Sequence, residues 1–426
     1  AGFYSVKLAD QEKSRLAFNY DRIESDMGYL NSDQLEAQFE GLNINILDTQ
    51  IDADIGATVS EKDKGYTLID KNFKAQLLDA GDYICDFITD PSFAAKTTLA
   101  IPQGIDIPGE TTLPECVVID FAIAEGPGGT CQPQLIELQG FPSLFAFELL
   151  QAQALELAYD LPKGFSPFLN GYNQAGYLDF FKKIVLGDQG KHTILLEIKP
   201  YEQKTRHDLL LTEAWLNVPI VCLSEIYLNG KTLCYQKNGV EYKIERIYNR
   251  VVYDELMQQA PHFIAQFKLL EQTENVAWVN HPHHFFRISK YILPLLNHPA
   301  IPEAHLLSDW KKNQAADKLD LAASICKPLF SFGGQGVMLN PTIDSVNAIN
   351  DPENWILQKK VSYAAVIETP SGPSKAEIRL FYFWDSQLNR YVATNNLTRI
   401  SKGPMIGVSY NDTATWIGGS ISYFEQ

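Results

Sequence analysis

Asp120 lies in an apolar run, Cys116–Ile123, and Glu137 and Gln139 stand two apart at the end of a second run, Gln134–Leu138 and its neighbour. Alternate side chains of a strand share a face, so Glu137 and Gln139 can point together toward Asp120 across a sheet. Two carboxylates and an amide carbonyl are oxygen ligands of the kind Mg²⁺ accepts, with phosphates and water completing its octahedron. On these residues alone the alternative stays open, since acids on strands are commonly solvated or cap a turn. A second group begins at Lys327 in Ile325-Cys-Lys-Pro-Leu-Phe-Ser-Phe-Gly-Gly-Gln-Gly-Val. Glycines at 333, 334 and 336 let backbone N–H groups close on phosphate oxygens, and a lysine beside them supplies a point charge. No lysine follows the loop, so it is not a Walker-type P-loop, and an ordinary glycine turn with a solvated lysine is the competing reading. A third group is Glu377 and Arg379, which share a strand face, with Arg399 further on. A guanidinium can grip a phosphate with two parallel hydrogen bonds, although strand charges are also often surface ion pairs. His281, His283 and His284 surround Pro282 without a cysteine or an HExxH pattern, and are read as a loop entering a helix rather than a metal site. No GxSxG elbow supports a serine hydrolase.

These side chains need elements to carry them. The sequence predicts a strand over 116–123, a glycine turn at 126–129, a strand over 134–138 and a helix over 142–159. A strand at 193–198, a helix at 207–216, and a hairpin of 220–228 with 232–235 around Asn229-Gly230 follow. A helical segment from Pro261 leads to Asn280-His-Pro, a further helix runs through Leu296, and the last hundred residues read as mostly β, with turns at Gly333-Gly334, Gly372-Pro373 and Gly418-Gly419. A strand is expected at 337–339. The fold class is α+β. A proline- and glycine-rich stretch, Ile101 to Gly109, suggests a boundary near residue 115, giving an N-terminal α/β region (1–115), a metal- and substrate-binding part (116–260) and a part with the lysines, glycine loop and lid (261–426).

Composition narrows the functional classes. With 45% hydrophobic and 12% aromatic residues over 426 positions, the chain can bury enough apolar surface to fold. Thirty-five basic against 52 acidic residues leave a formal charge of −17, which repels phosphate backbones, so nucleic acid is not an expected partner. The apolar runs are shorter than the ~20 residues of a membrane helix, and no membrane partner is expected. Six cysteines without CxxC pairs suggest reduced thiols, and the cytoplasm is the expected compartment.

Taken in order, these segments resemble the ATP-grasp superfamily in its circularly permuted form, as in the synthetase domain of glutathionylspermidine synthase. The carrying residues are Asp120, Ile136-Glu-Leu-Gln-Gly-Phe-Pro-Ser143, Ile247-Tyr-Asn-Arg-Val251, Asn280-His-Pro before Lys290, Lys327 through Val337, and Leu397-Thr-Arg399. In unpermuted members the lysines precede the metal ligands, whereas here Asp120 and Glu137 precede Lys327. The match covers about Cys116 to the C-terminus. The resemblance implies a nucleotide held between two α+β subdomains, with ATP and Mg²⁺ as cofactors. Lys290 and Lys327 would hold phosphates, Gly333, Gly334 and Gly336 would close over them, and Gln358, Lys359 and Val361 would frame the adenine. Arg379 would assist at the phosphates, while Asp120, Glu137 and Gln139 would hold Mg²⁺. The implied activity is ADP-forming carboxylate–amine ligation through an acyl phosphate, with Arg399 or Arg250 stabilising the tetrahedral oxyanion. Its partners would be a small-molecule or peptide carboxylate and an amine. A nucleotide-binding protein or kinase without ligase activity is the alternative. Three positions depart from the family pattern: Gln139 replaces asparagine, Asn395-Asn396 replace glycines before Leu397, and the loop lacks its usual Arg-Glu.

Overall fold

The computed structural model describes residues 66–426 apart from 188–190, 313–318, 332–333, 370–371, 404–405 and 407–417, together with the strands Phe3–Leu8, Gln11–Ala17 and Asn45–Ile46. The class is mixed α and β, as expected. Its centre is a seven-stranded sheet whose middle strands carry the polar residues of interest. Lys375–Asp385 lies between Arg390–Ser401 and Cys116–Glu125, antiparallel to both, and Cys131–Gln139 forms one edge. On the other side Gly418–Glu425 joins Arg390–Ser401, and Tyr66–Ile69 runs parallel to it. The segment from residue 66 thus shares a core with the C-terminal strands.

Lys375–Asp385 and Cys116–Glu125 are buried on both faces, because helices cover each side. Lys71–Thr89 covers one face. Asp70 caps it, accepting from the Phe73 N–H at 2.8 Å, and Phe73, Leu77, Ala80, Ile84 and Ile88 recur at helical spacing to form the buried stripe. Gly81 lets this helix close on the sheet: a Cβ there would stand 2.1 Å from the Tyr382 hydroxyl. Phe145–Ala158 and Gln174–Leu186 cover the opposite face, with Phe145 stacked on Phe181 and Phe383 and edge-on to Phe381.

Two smaller sheets flank this centre. One is parallel, in the order Ala277–Val279, Arg246–Asn249, Thr193–Glu197, Ile220–Cys222. The other is antiparallel, with Trp355–Lys359 between Ala304–Leu306 and Ser324–Pro328. The hairpin at Asn229-Gly230 forms as expected, but its first strand is only Tyr227–Asn229. Ile220–Cys222 belongs to the parallel sheet, and the turn Leu223–Glu225, where the Glu225 carboxylate accepts from the Cys222 N–H, separates the two. Gly418-Gly419 opens a strand instead of making a turn. The segment after Pro261 is a series of short turns rather than one helix, and the expected strand at 337–339 reduces to a single bridge between Cys326 and Met338. The helix expected through Leu296 is Pro282–Arg287 followed by the tighter turn Lys290–Leu295.

Candidate functional site

Sheet register brings the first and third residue groups into one row. Asp120 pairs with Glu137 on one side and Arg379 on the other, while Glu377 pairs with Arg399 one strand further. Asp120 is 1% exposed. Arg379 grips it with two parallel hydrogen bonds, Nε to Oδ1 at 2.6 Å and Nη2 to Oδ2 at 2.7 Å. Arg399 adds a third, Nη2 to Oδ2 at 2.7 Å, and also reaches Glu377 at 2.9 Å. Burial alone would raise the Asp120 carboxyl, but Arg379 and then Arg399 outweigh it and hold it below the usual carboxylate range. For Glu377 burial prevails over Arg399, and its carboxyl is pushed up.

A cavity of about 480 Å³ opens beside this row, a volume typical of small-molecule sites. Glu137, Glu377 and Arg399 line it from the central sheet, Lys327 and Gln358 from the small antiparallel sheet, and Lys290 from the turn after Pro282–Arg287. Lys290 and Lys327 are 5% and 6% exposed. Lys290 donates to the Ser331 carbonyl at 2.6 Å and Lys327 to the Ile136 carbonyl at 3.3 Å. Lys327 makes no ion pair among the described residues. Burial, followed by the neighbouring Lys290 charge, brings Lys327 down to about 8 against the pull of Glu137 and Glu377. Burial likewise lowers Lys290. Two cations sharing a desolvated cavity repel each other, and an anion there would relieve both. The buried Gln358 amide adds a donor, Nε2, with no partner among the described residues.

The other expected residues divide by position. Gly334 and Gly336 have φ of +76° and +72°, which favours glycine, and a Cβ at Gly336 would meet Pro328 at 2.7 Å; Gly333 lies outside the described residues. Val361 lines the cavity, but Lys359 points to the solvent on the other face of its strand. Gln139 sits beside Glu137, donating to its Oε1 at 3.0 Å, and lines a narrow niche behind the cavity with Lys290. Asp120 and Arg379 stand behind the cavity wall: the Asp120 oxygens are taken by the two arginines, so Glu137 and Glu377 are the carboxylates that face the space. Arg250 lies elsewhere. It is 4% exposed, donates to the Pro142 carbonyl and to Thr205 Oγ1 (3.1 Å), and stands 3.8 Å from the buried Glu197. Its guanidinium is consumed in fixing the turn before Phe145–Ala158 and is not placed to meet an oxyanion in the cavity.

Glu377, read from sequence only as a strand-face partner of Arg379, proves to be a cavity-facing acid, and Tyr363, whose hydroxyl donates to it, was not singled out from sequence. Asn280 is a further positioning residue, since its amide accepts from the Cys116 N–H at 3.1 Å and donates to the Cys116 and Gly140 carbonyls at 2.6 and 3.0 Å. It thereby pins the strands that carry Asp120 and Glu137. Gly140 must be glycine, because a Cβ would lie 2.1 Å from the His284 carbonyl oxygen.

His281 and His283 join Glu110 in a cluster whose ligand atoms lie within 4.8 Å of one another, a spacing a metal ion could use. Glu110 is already bound by Arg287 at 2.6 Å and His283 at 2.9 Å, which hold its carboxyl well below its usual range against burial. His281 Nδ1 accepts from the His283 N–H at 3.1 Å, and burial lowers the ring to about 3. The cluster's carboxylate is thus already paired, while His281 Nε2 is buried with no hydrogen-bond partner among the described residues.

No protein family and no curated protein matches the sequence. Among solved structures the fold is similar to a glutathione synthetase-like effector from Globodera pallida in its apo form, with a TM-score of 0.52 and 8% identity over 84% of this chain and 89% of that one. At that identity the likeness establishes a shared fold. No helix among the described residues is long and apolar enough to cross a membrane.

Proposed function

We propose that this protein is an ADP-forming carboxylate–amine ligase of the ATP-grasp type, in circularly permuted order and similar to glutathionylspermidine synthase. The observation that carries the reading is the convergence of two buried lysines, Lys290 and Lys327, on one cavity that Glu137 and Glu377 also face. The donor set fits magnesium–ATP: buried cations suit phosphates, and carboxylate oxygens opposite them suit Mg²⁺. The glutathione synthetase-like fold supports the same reading. When bound, the nucleotide would supply the phosphoryl group that turns a carboxylate into an acyl phosphate.

Lys290 and Lys327 would hold phosphates, and the backbone N–H groups at Gly334, which lines the cavity, and Gly336 would approach them. The backbone at Gln358 and Val361 would frame the adenine, with Lys359 contributing main chain only. Glu137 would hold Mg²⁺, and the Gln139 amide would orient it, while Glu377, whose oxygens are engaged by Tyr363 and Arg399, would help to fix Arg399. Asp120 would act through Arg379 and Arg399, fixing both guanidiniums, so that Arg399 faces the developing oxyanion with little reorganisation. The substrates would be a small-molecule or peptide carboxylate and an amine. Six free thiols fit a reducing compartment such as the cytoplasm.

The test is to incubate the full chain with magnesium–ATP and a panel of carboxylates, using hydroxylamine as the trapping amine. Hydroxamate formed together with ADP supports ligation. A second reading, nucleotide binding without ligation, is favoured by the closed pairing of Asp120 with two arginines; it predicts nucleotide binding with no hydroxamate for any carboxylate.

A further inference from the structure

A second, smaller cavity of about 60 Å³ adjoins the first, and Arg399 and Ile406 line both. Its walls are mostly apolar, from Leu144, Phe147, Leu397 and Ile400, with the backbone of Gly418 and Gly419. One acid stands in it. Glu148, in the first turn of Phe145–Ala158, is 0% exposed, and its Oε1 has no hydrogen-bond partner among the described residues. With the Gln151 amide turned, that side chain donates to Glu148 Oε2 at 3.0 Å and to the Ser420 carbonyl at 3.2 Å. Asp208 fixes the helix end, accepting from the Leu144, Ala146 and Phe147 N–H groups at 2.9–3.1 Å.

We propose that Glu148 seats the ammonium group of the amine substrate, an inference that rests on the ligase reading and names the partner of this chamber. A buried carboxyl with an unused oxygen in an apolar chamber is a poor place for an anion and a good one for a cation carrying its own charge. The charged groups facing it agree. Arg379 spends Nε and Nη2 on Asp120, and Arg399 spends Nη2 on Asp120 and Glu377. With their charges already balanced by Asp120 and Glu377, neither guanidinium excludes an ammonium from the chamber. At roughly 30 Å³ for a water-sized group, the chamber holds an ammonium and an adjoining carbon or two.

Burial, then Asp208, raise the Glu148 carboxyl well above its ordinary range, with Arg379 opposing and Tyr177 also nearby. Glu148 is thus held toward its neutral form until a cation arrives. Binding an ammonium converts Glu148–COOH to its carboxylate and releases one proton to solvent. Before attack on an acyl phosphate, the ammonium returns a proton to Glu148, which becomes neutral again and leaves the lone pair on nitrogen. Both steps balance without a further reactant.

The test is calorimetric titration of the full chain with ethylammonium chloride near pH 7, in two buffers of different ionisation enthalpy, neither a primary amine. We expect saturable binding with about one proton released per site, and at least ~10-fold weaker binding in Glu148→Gln. Glu148→Gln replaces a neutral carboxyl by a neutral isostere, and its thermal midpoint should not fall. Gly419→Ala is a second variant: its Cβ would sit 3.4 Å from Leu397 Cδ1 and 3.9 Å from Gln151 Nε2, so it narrows the chamber without a clash and should also weaken ethylammonium. Absence of binding, binding unchanged in Glu148→Gln, binding without proton release, or propionate binding in place of ethylammonium would each overturn the proposal. A parallel titration with magnesium–ATP separates the two readings. If the nucleotide binds and ethylammonium does not, this inference fails alone; if the nucleotide does not bind, the ligase reading fails whatever ethylammonium does.

Discussion

Replacing Lys327 by methionine should stabilise the protein near neutral pH while abolishing its response to nucleotide. The side chain is 6% exposed, and its ammonium falls from 10.5 to about 8 on folding. At about 1.4 kcal/mol per pH unit, keeping it charged in the folded state costs roughly 3 kcal/mol. Methionine matches its length and flexibility and removes that cost, but it forfeits the 3.3 Å hydrogen bond to the Ile136 carbonyl, worth roughly 1.5–3 kcal/mol when the donor is charged. The net gain is roughly 0–1.5 kcal/mol. The sign also fixes the pH dependence. Between about pH 8 and 10.5 the unfolded chain binds a proton here that the folded chain does not, so wild-type stability rises with pH relative to the variant. The advantage of Lys327→Met should therefore be full below pH 8 and vanish by about pH 10.5. Urea unfolding at pH 7 and pH 10, each with and without magnesium–ATP, measures both effects. A variant that is less stable than wild type at pH 7, or that is still stabilised by the nucleotide, would refute the reasoning.

Asp120→Asn should lose roughly 3–5 kcal/mol in urea unfolding, because Arg379 and Arg399 would be left buried without their shared counter-charge. Arg250→Met should lose less, roughly 1–3 kcal/mol, because burial already pushes the Glu197 carboxyl up to about 8 and the loss is mainly that of the bonds to the Pro142 carbonyl and Thr205; it should keep its stabilisation by magnesium–ATP in thermal unfolding, since Arg250 does not line the cavity. Gly140→Ala should lower the unfolding midpoint by the equivalent of at least ~1–3 kcal/mol, because its Cβ would run into the His284 carbonyl. Glu148→Gln should gain on wild type by roughly 1.4 kcal/mol for each pH unit above the unfolded carboxyl range, since the buried acid resists the ionisation that the unfolded chain undergoes; a parallel pH series of urea midpoints checks it.

The strands of Asp120, Glu137 and Lys327 were legible because each is a short β-branched or apolar run bounded by glycine or proline, and because period two places Glu137 with Gln139 and Glu377 with Arg379. The Asn229-Gly230 turn was legible for a similar local reason. What was not legible depends on long-range pairing. Arg379 and Arg399 meet Asp120 from 259 and 279 positions away, and no local pattern shows that they close its carboxylate from the cavity. Ile220 to Leu228 reads as one apolar run, yet the Glu225 side chain folds back onto the Cys222 N–H and splits it between two sheets. Gly418-Gly419 reads as a turn, but the following residues Ile421–Phe424 find a partner in Tyr66–Ile69, some 355 positions away in sequence. Glu148 sits in a helix whose apolar residues surround it, and only the packed structure shows that a cavity opens at its carboxyl.

Under the proposed function, the two buried lysines and the two facing acids form a nucleotide site. Calorimetric titration of the full chain with magnesium–ATP, beside ATP with a chelator and beside the Lys327→Met and Glu137→Gln variants, tests it most directly. Wild type should bind saturably, with affinity that weakens at least tenfold when Mg²⁺ is withdrawn or when Glu137 is changed, and is lost with Lys327→Met, each tenfold step being about 1.4 kcal/mol. Binding that is indifferent to Mg²⁺ and to both substitutions, or no binding at millimolar nucleotide, would contradict it.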